Sequence, residues 1–353
     1  MAYASITKPG LHFNTITYSG NGSNPRTLTG VGFQPDWVWQ KSRTGSNGHT
    51  LADAVRGANK TLGSDGNGAE ITDKNDGHLD AFTSDGFTVG AGSSSDARVN
   101  DGSHTYVAWN WKANGAGSSN TDGSITSTVS VNTTAGFSIV TYEASANATI
   151  GHGLGVKPAM VITKSRDDST NWTVWHKNLT GGNENDRYIN LNQTSQDADY
   201  GNYWGTGGFT SSVFGVSNTG FHNNSNSMIA YCFAEKKGYS KFGTYTGNGN
   251  ADGTFIYTGF APAFVIMKRI DGGGAWYTLD NKRPTYNPKN KYISPNSSNA
   301  ESTFTFWDFL SNGFKIRNNG AENNNSGGVY IYMAFAAEPL VANVGQGIPA
   351  TAK

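Results

Sequence analysis

The sequence predicts an all-β protein of three tandem homologous β-sandwich domains, of jelly-roll or lectin-like type. Three observations lead there. First, Gly-x-x-Pro followed by a hydrophobic run and a basic residue is written three times. It reads Gly32-Phe33-Gln34-Pro35-Asp36-Trp37-Val38-Trp39-Gln40-Lys41, then Gly155-Val156-Lys157-Pro158-Ala159-Met160-Val161-Ile162-Thr163-Lys164, then Gly259-Phe260-Ala261-Pro262-Ala263-Phe264-Val265-Ile266-Met267-Lys268. Each copy is answered by a closing aromatic run: Val107-Ala108-Trp109-Asn110-Trp111, Ile229-Ala230-Tyr231-Cys232-Phe233 and Ile331-Tyr332-Met333-Ala334-Phe335. Second, large and small side chains alternate along the closing runs with the period of a strand, and sustained i, i+3, i+4 spacing is rare. Third, charged residues make up only 15% and aromatics 12%, with 46 glycines. That composition suits a turn-rich β protein and not a disordered chain, which has high charge and few aromatics.

The register holds across whole units. Pro35 precedes Trp111 by 76 positions, Pro158 precedes Phe233 by 75 and Pro262 precedes Phe335 by 73. Each unit exceeds the ~20–50-residue period of solenoids and propellers. It is long enough to enclose its own small core. The organisation predicted is a lead-in arm over 1–17, repeat 1 over 18–113, a linker over 114–136, repeat 2 over 137–240, repeat 3 over 241–340 and a tail over 341–353.

Within the lead-in, Phe13, Thr15 and Thr17 alternate with Asn14 and Ile16, as an extended arm or a first strand does. In repeat 1, the stretch 50–60 reads as strand or as one helical turn. Ser84-Asp85-Gly86-Phe87 reads as a hairpin turn, and Ser311-Asn312-Gly313-Phe314 repeats it, since Asp-Gly and Asn-Gly accept positive φ. Repeat 2 carries Phe209, Val213, Phe214 and Val216 there, without an Asn-Gly. The linker contains Gly115-Ala116-Gly117-Ser118-Ser119-Asn120, a flexible composition. Repeats 2 and 3 are therefore expected to be closely coupled and repeat 1 loosely tethered. The predicted repeat core is Trp37, Trp39, Trp109, Trp111, Tyr231, Phe233, Phe264, Ile266, Met333 and Phe335. Alternation sends each pair of large closing side chains to one face, which fits a strand filling the space between two sheets.

Composition narrows the function classes. With 26 basic and 26 acidic residues the formal net charge is zero, which argues against a nucleic-acid surface. The single cysteine, Cys232, lies in an apolar strand pattern and reads as a small buried hydrophobe. No apolar run approaches the ~18–20 residues of a membrane span. The start, Met1-Ala2-Tyr3-Ala4-Ser5, lacks the basic and apolar regions of a signal peptide.

Catalytic and metal signatures are incomplete in this sequence. Asp73-Lys74-Asn75-Asp76-Gly77 resembles a calcium loop, but its glycine arrives one place early and Ser84 stands where a glutamate belongs. The glycine strings at 20–22, 151–155 and 247–249 complete no phosphate-binding loop and read as hairpin turns. His12, His49, His78, His104, His152, His176 and His222 are scattered without zinc-ligand spacing. Neither a G-x-S-x-G elbow nor the paired carboxylates of a glycosidase appear in a predicted strand. No cofactor or metal is expected. Aromatics remain as the lead. Trp172, Trp175 and Trp276 read chiefly as core, whereas Tyr200-Gly201-Asn202-Tyr203-Trp204-Gly205 is loop-like. Tyr200, Tyr203 and Trp204 are therefore the candidate ligand contacts, able to stack on a sugar ring beside Asn and Asp side chains.

The strings Gly32–Trp39, Tyr106–Lys112, Tyr231–Gly243, Tyr245–Gly253 and Ile348–Lys353 resemble a repeat protein family of marine tailed bacteriophages. That resemblance covers nearly the whole chain. It implies a virion structural protein, tail-fibre-like, with no catalytic residues to carry over. Such a protein assembles in the host cytoplasm and leaves by lysis. The expectation is thus a non-enzymatic virion surface protein. Its partners would be other virion proteins of tail or capsid and a host-surface glycan, with no nucleic acid and no membrane insertion. A capsid decoration or cement protein is the alternative, and a polysaccharide-degrading enzyme is a third class.

Overall fold

A computed structural model describes residues 4–94, 98–217 and 225–340. His222, the start at 1–3 and the tail 341–353 lie outside the described residues. Strand accounts for 45% of the chain and helix for 3%, so the all-β class holds.

Repeat 1 supplies β1 (Phe13–Ser19), β2 (Arg26–Thr29), β3 (Trp37–Ser42), β4 (Thr50–Asp53), β5 (Gly57–Leu62), β6 (His78–Thr83), β7 (Gly86–Gly90) and β8 (Thr105–Trp111). A hairpin of β9 (Ser118–Asn120) and β10 (Ser127–Asn132) follows. Repeat 2 supplies β11 (Phe137–Glu143), β12 (Thr149–Gly151), β13 (Met160–Ser165), β14 (Thr173–His176), β15 (Arg187–Asn190), β16 (Ala198–Asp199), β17 (Val213–Gly215) and β18 (Ser227–Phe233). Repeat 3 supplies β19 (Ser240–Thr246), β20 (Phe255–Tyr257), β21 (Phe260–Arg269), β22 (Trp276–Asp280), β23 (Lys289–Tyr292), β24 (Ser302–Leu310) and β25 (Gly313–Ile316). The helical turn α1 (Ala321–Asn324) and β26 (Val329–Pro339) complete it.

One strand order recurs in all three thirds: β1-β8-β3-β4, β11-β18-β13-β14 and β19-β26-β21-β22. The pairings are antiparallel and in equivalent register, with Trp37 opposite Trp111, Met160 opposite Phe233 and Phe264 opposite Phe335. Register therefore assigns equivalent positions across the repeats. A second, smaller sheet accompanies each of these: β2-β7-β6, β12-β17 and β20-β25-β24-β23.

The lead-in predicted over 1–17 divides in two. Residues 13–17 belong to β1, which pairs along its whole length with β8. Before it, Ile6 is buried in the large central core and Ser5 donates its backbone N–H to Lys237 O. The linker is also structured, against its composition. β10 pairs with both β9 and β11, extending the sheet of repeat 2 to eight strands. Ala113 and Gly115 donate backbone N–H to the Asp36 carboxylate at 2.7 and 3.1 Å. The stretch 50–60 is strand, turn and strand. Gly86 and Gly313 are glycine because an added Cβ would lie 2.0 Å from Leu28 O and Ile256 O respectively, a closer reason than turn conformation alone.

Burial explains why β3, β13 and β21 read as nearly continuous apolar runs: both faces of these strands are covered. One face meets the repeat's own smaller sheet. Ala108, Val38 and Ala52 meet Leu28, Phe87 and Val89 in repeat 1. Cys232, Ala230 and Val161 lie with Phe214 in repeat 2. Ala334, Ala336 and Val265 meet Phe314 and Trp307 in repeat 3. The other face meets the other two repeats. Trp37, Trp39, Trp109, Trp111, Tyr231, Phe233, Phe264, Ile266, Met333 and Phe335 all lie in a single central cluster. The large closing side chains thus fill the space among repeats, not the space between two sheets of one repeat. The small alternate residues face the private cores.

The three repeats close a ring of equivalent contacts. Trp172 Nε1 donates to Gly63 O (2.7 Å), Trp276 Nε1 to Asn190 O (2.9 Å), and His49 Nε2 lies 3.1 Å from Ser294 O. Register makes His49, Trp172 and Trp276 the same position. Backbone N–H groups of Glu70, Glu301 and Asp197 donate in the same way to Arg166, Arg43 and Ile270. Tyr231 Oη donates to Asp53 (2.8 Å), Trp109 Nε1 donates to Asp280 (3.0 Å), and His176 Nε2 meets Tyr332 O (3.3 Å). Repeat 2 thus leans on 1, 1 on 3 and 3 on 2. Repeat 1 is bound on both sides and is not loosely tethered.

A shared core requires shared unfolding. Denaturant should unfold the chain in one transition, with tryptophan fluorescence and far-UV circular dichroism superimposed. Trp37→Ala should lower the stability of that whole transition by about 3–5 kcal/mol; three separated transitions would refute the common core.

Acid should loosen the ring. His176 Nδ1 accepts from Asn178 N–H and His49 Nδ1 accepts from Trp39 Nε1–H, so each imidazole is bound as the neutral form. Burial lowers their pKa to about 3 and about 4, whereas an unfolded imidazole protonates near ~6.5. The unfolded chain therefore takes up protons first, and stability falls as pH drops from about 6.5 towards 4. Urea midpoints across that range should decline, and His176→Gln should flatten part of the slope.

Candidate functional site

One buried register position sets repeat 3 apart from the other two. Register aligns Thr50, Thr173 and Tyr277. In repeat 3, Tyr277 fills the place beside it. Its ring packs 5.2 Å from Tyr292 and 5.0 Å from Phe306, and its hydroxyl donates to Glu322 (3.0 Å). In repeat 2 the shorter Thr173 is buried beneath Tyr203, whose hydroxyl lies 3.3 Å from its Oγ1. Beside them is a cleft of about 420 Å³, lined by Asn67, Ser169, Thr170, Asn171, Thr173, Tyr188, Asn190, Tyr200 and Tyr203. Repeat 1 also carries a threonine, but Thr61 stands where repeat 2 has Tyr188, so the tyrosine wall is missing there.

The walls are fixed by packing. Tyr188 and Tyr203 stack at 3.9 Å with planes 8° apart. The Tyr203 hydroxyl lies 3.3 Å from Thr173 Oγ1, and burial raises its pKa, so it stays protonated. Asn171 Oδ1 accepts from Asn192 (2.9 Å) and Gln193 (3.2 Å), which orients its amide. Tyr200 is 53% exposed, and its ring stands at 78° to that of Tyr203. Asn67 comes from repeat 1, and the Trp172–Gly63 hydrogen bond holds the two repeats together beside it.

The predicted ligand contacts are split by the structure. Tyr200 and Tyr203 line the cleft. Trp204 does not: it is fully buried, donates Nε1–H to Arg187 O (2.9 Å) and packs 5.3 Å from Phe209. A side chain committed on every face to the core of repeat 2 has none left for a ligand. Trp172, Trp175 and Trp276 are likewise buried. Sequence reasoning missed Asn67 and Tyr188, which no local pattern connects to Tyr200. It also passed over the exposed aromatics of repeat 3: Phe255, Tyr257, Tyr286 and Phe304.

Other titratable clusters serve the fold. The basic residue ending each repeated run turns its ammonium onto backbone carbonyls. Lys41 donates to Ser42 O and Gly45 O, Lys164 to Ser165 O and Asp168 O, and Lys268 to Thr194 O and Gly274 O. Burial lowers Lys164 and Lys268 to about 8. Asp73 accepts from Asn75 N–H and Asp76 pairs with Arg98, as in a polar turn. Among the described residues no group of three or more His, Cys, Asp or Glu could hold a metal ion. Nor is any helix among them long and apolar enough to cross a membrane. Cys232 is buried, and burial pushes its thiol pKa up.

The cleft is thus carried by β repeats packed around a common aromatic core. Residues 8–339 match the family model described as a domain of unknown function, DUF7483, and the chain belongs to that family. The match runs unbroken through all three repeats. No curated protein and no solved structure matches the chain.

Two substitutions separate ligand surface from core. Trp204→Ala should destabilise by about 3–5 kcal/mol, and Tyr200→Ala should stay within about 0.5 kcal/mol. Chemical denaturation of the two variants checks both; equal losses would make Tyr200 a core residue.

Proposed function

We propose that the chain is a non-enzymatic structural protein on the surface of a tailed-bacteriophage particle, where it binds a host-surface glycan in the manner of a tail-fibre adhesin. Its repeats are read as three tandem β-sandwich domains of jelly-roll type. The observation that carries the glycan reading is the cleft lined by Tyr200 and Tyr203 with asparagine, serine and threonine side chains. Aromatic faces stack on the apolar faces of pyranose rings, and amides and hydroxyls satisfy sugar hydroxyls. The likeness of the repeated strings to marine phage virion proteins supports the particle assignment.

A second reading, a decoration or cement protein of the head, is favoured by the ring of equivalent inter-repeat contacts. One chain built in this way has the form of a trimer and suits a position of threefold symmetry. Two measurements decide. The purified chain should bind immobilised host polysaccharide on a glycan array, and gold-labelled antibody should mark the tail of the particle. Label spread over the head lattice together with a silent array would replace the adhesin by the cement protein.

A further inference from the structure

We infer that the cleft between repeats 1 and 2 selects an uncharged pyranose and discriminates against acidic or sulfated sugars; this rests on the glycan reading above. None of the nine lining side chains carries a charge at neutral pH. Arg187, next to Tyr188 in β15, is already bound to Asp197 and Asp199. An acidic sugar would bring its charge into a cleft whose lining supplies no cation, and partial desolvation of a charge that finds no opposite charge is costly. A neutral hexose meets no such penalty. Its apolar face can lie on the ring of Tyr200, and its hydroxyls can reach the amides of Asn171 and Asn67.

Size and position agree. About 420 Å³ falls in the ~300–1,000 Å³ range of small-ligand sites. A sugar that touches Asn67 and Asn171 also bridges two repeats.

The test uses the full chain and isothermal titration with neutral oligosaccharides (maltohexaose, mannohexaose, laminarihexaose) and acidic ones (oligoalginate, sulfated oligogalactan). At least one neutral sugar should bind, and no acidic one. Tyr200→Ala should weaken that binding at least tenfold without lowering the melting temperature. Acidic sugar binding that Tyr200→Ala removes would overturn the charge selection and leave the glycan reading standing. Neutral binding that survives Tyr200→Ala would place the sugar elsewhere and overturn the inference. No binding by any sugar of either set would overturn the inference, and a silent glycan array would then remove the glycan reading with it.

Discussion

Trp37 of repeat 1 lies flat on Tyr231 of repeat 2, with ring centroids 4.2 Å apart, and also packs on its strand partner Trp111 at 4.4 Å. Trp111 meets Phe335 and Phe264 of repeat 3, and Phe335 meets Phe233 of repeat 2. Everything else in the molecule depends on this aromatic interior. Each large sheet has two apolar faces, and its smaller companion covers only one. The second face can be buried only by the other repeats, because a sheet with an exposed aromatic face would be a site of aggregation. The ring is therefore a condition of solubility for each repeat as well as a source of stability.

Around that interior the three junctions are sealed by different chemistry. Two use buried ions. Asp53 and Arg56, and Asp280 and Arg283, form fully buried pairs three residues apart. Glu70 links Arg56 to Arg166 across one junction, and Glu301 links Arg283 to Arg43 across another. At the third junction Ile270 takes the place of the arginine, and His176 that of the aspartate. A buried ion pair adds little net stability, yet removing one partner strands the other in a medium that solvates it poorly. The junctions built on Arg56 and Arg283 thus tolerate loss of one partner badly, whereas at the third junction the acid, Asp197, pairs with Arg187 of its own repeat.

The three-copy organisation and the β class were legible because they are periodic: spacing between Pro35 and Trp111, and alternation along the closing runs, survive in one dimension. The faces were not. Alternation shows that Trp109 and Trp111 share a side, but not whether that side meets the same repeat or another. Private core and common core look alike in a single sequence. The loose tether was misjudged because glycine and serine content reports backbone freedom, whereas β10 is held by its pairing to β11. The site was half legible. Tyr200 and Tyr203 stood in a loop-like run, but Trp204 in the same run turns inward. Asn67 reaches them only through the Trp172–Gly63 contact.

Fusing the three copies into one polypeptide has a consequence for valency. A homotrimer must display every pocket in triplicate, whereas this chain carries the Tyr188–Tyr203 cleft in one repeat and different side chains, Thr61 and Tyr277, at register positions of the other two. Under the proposed glycan reading each molecule presents one such site. Avidity for a repetitive surface would then come from how many chains are arrayed and how far apart they stand.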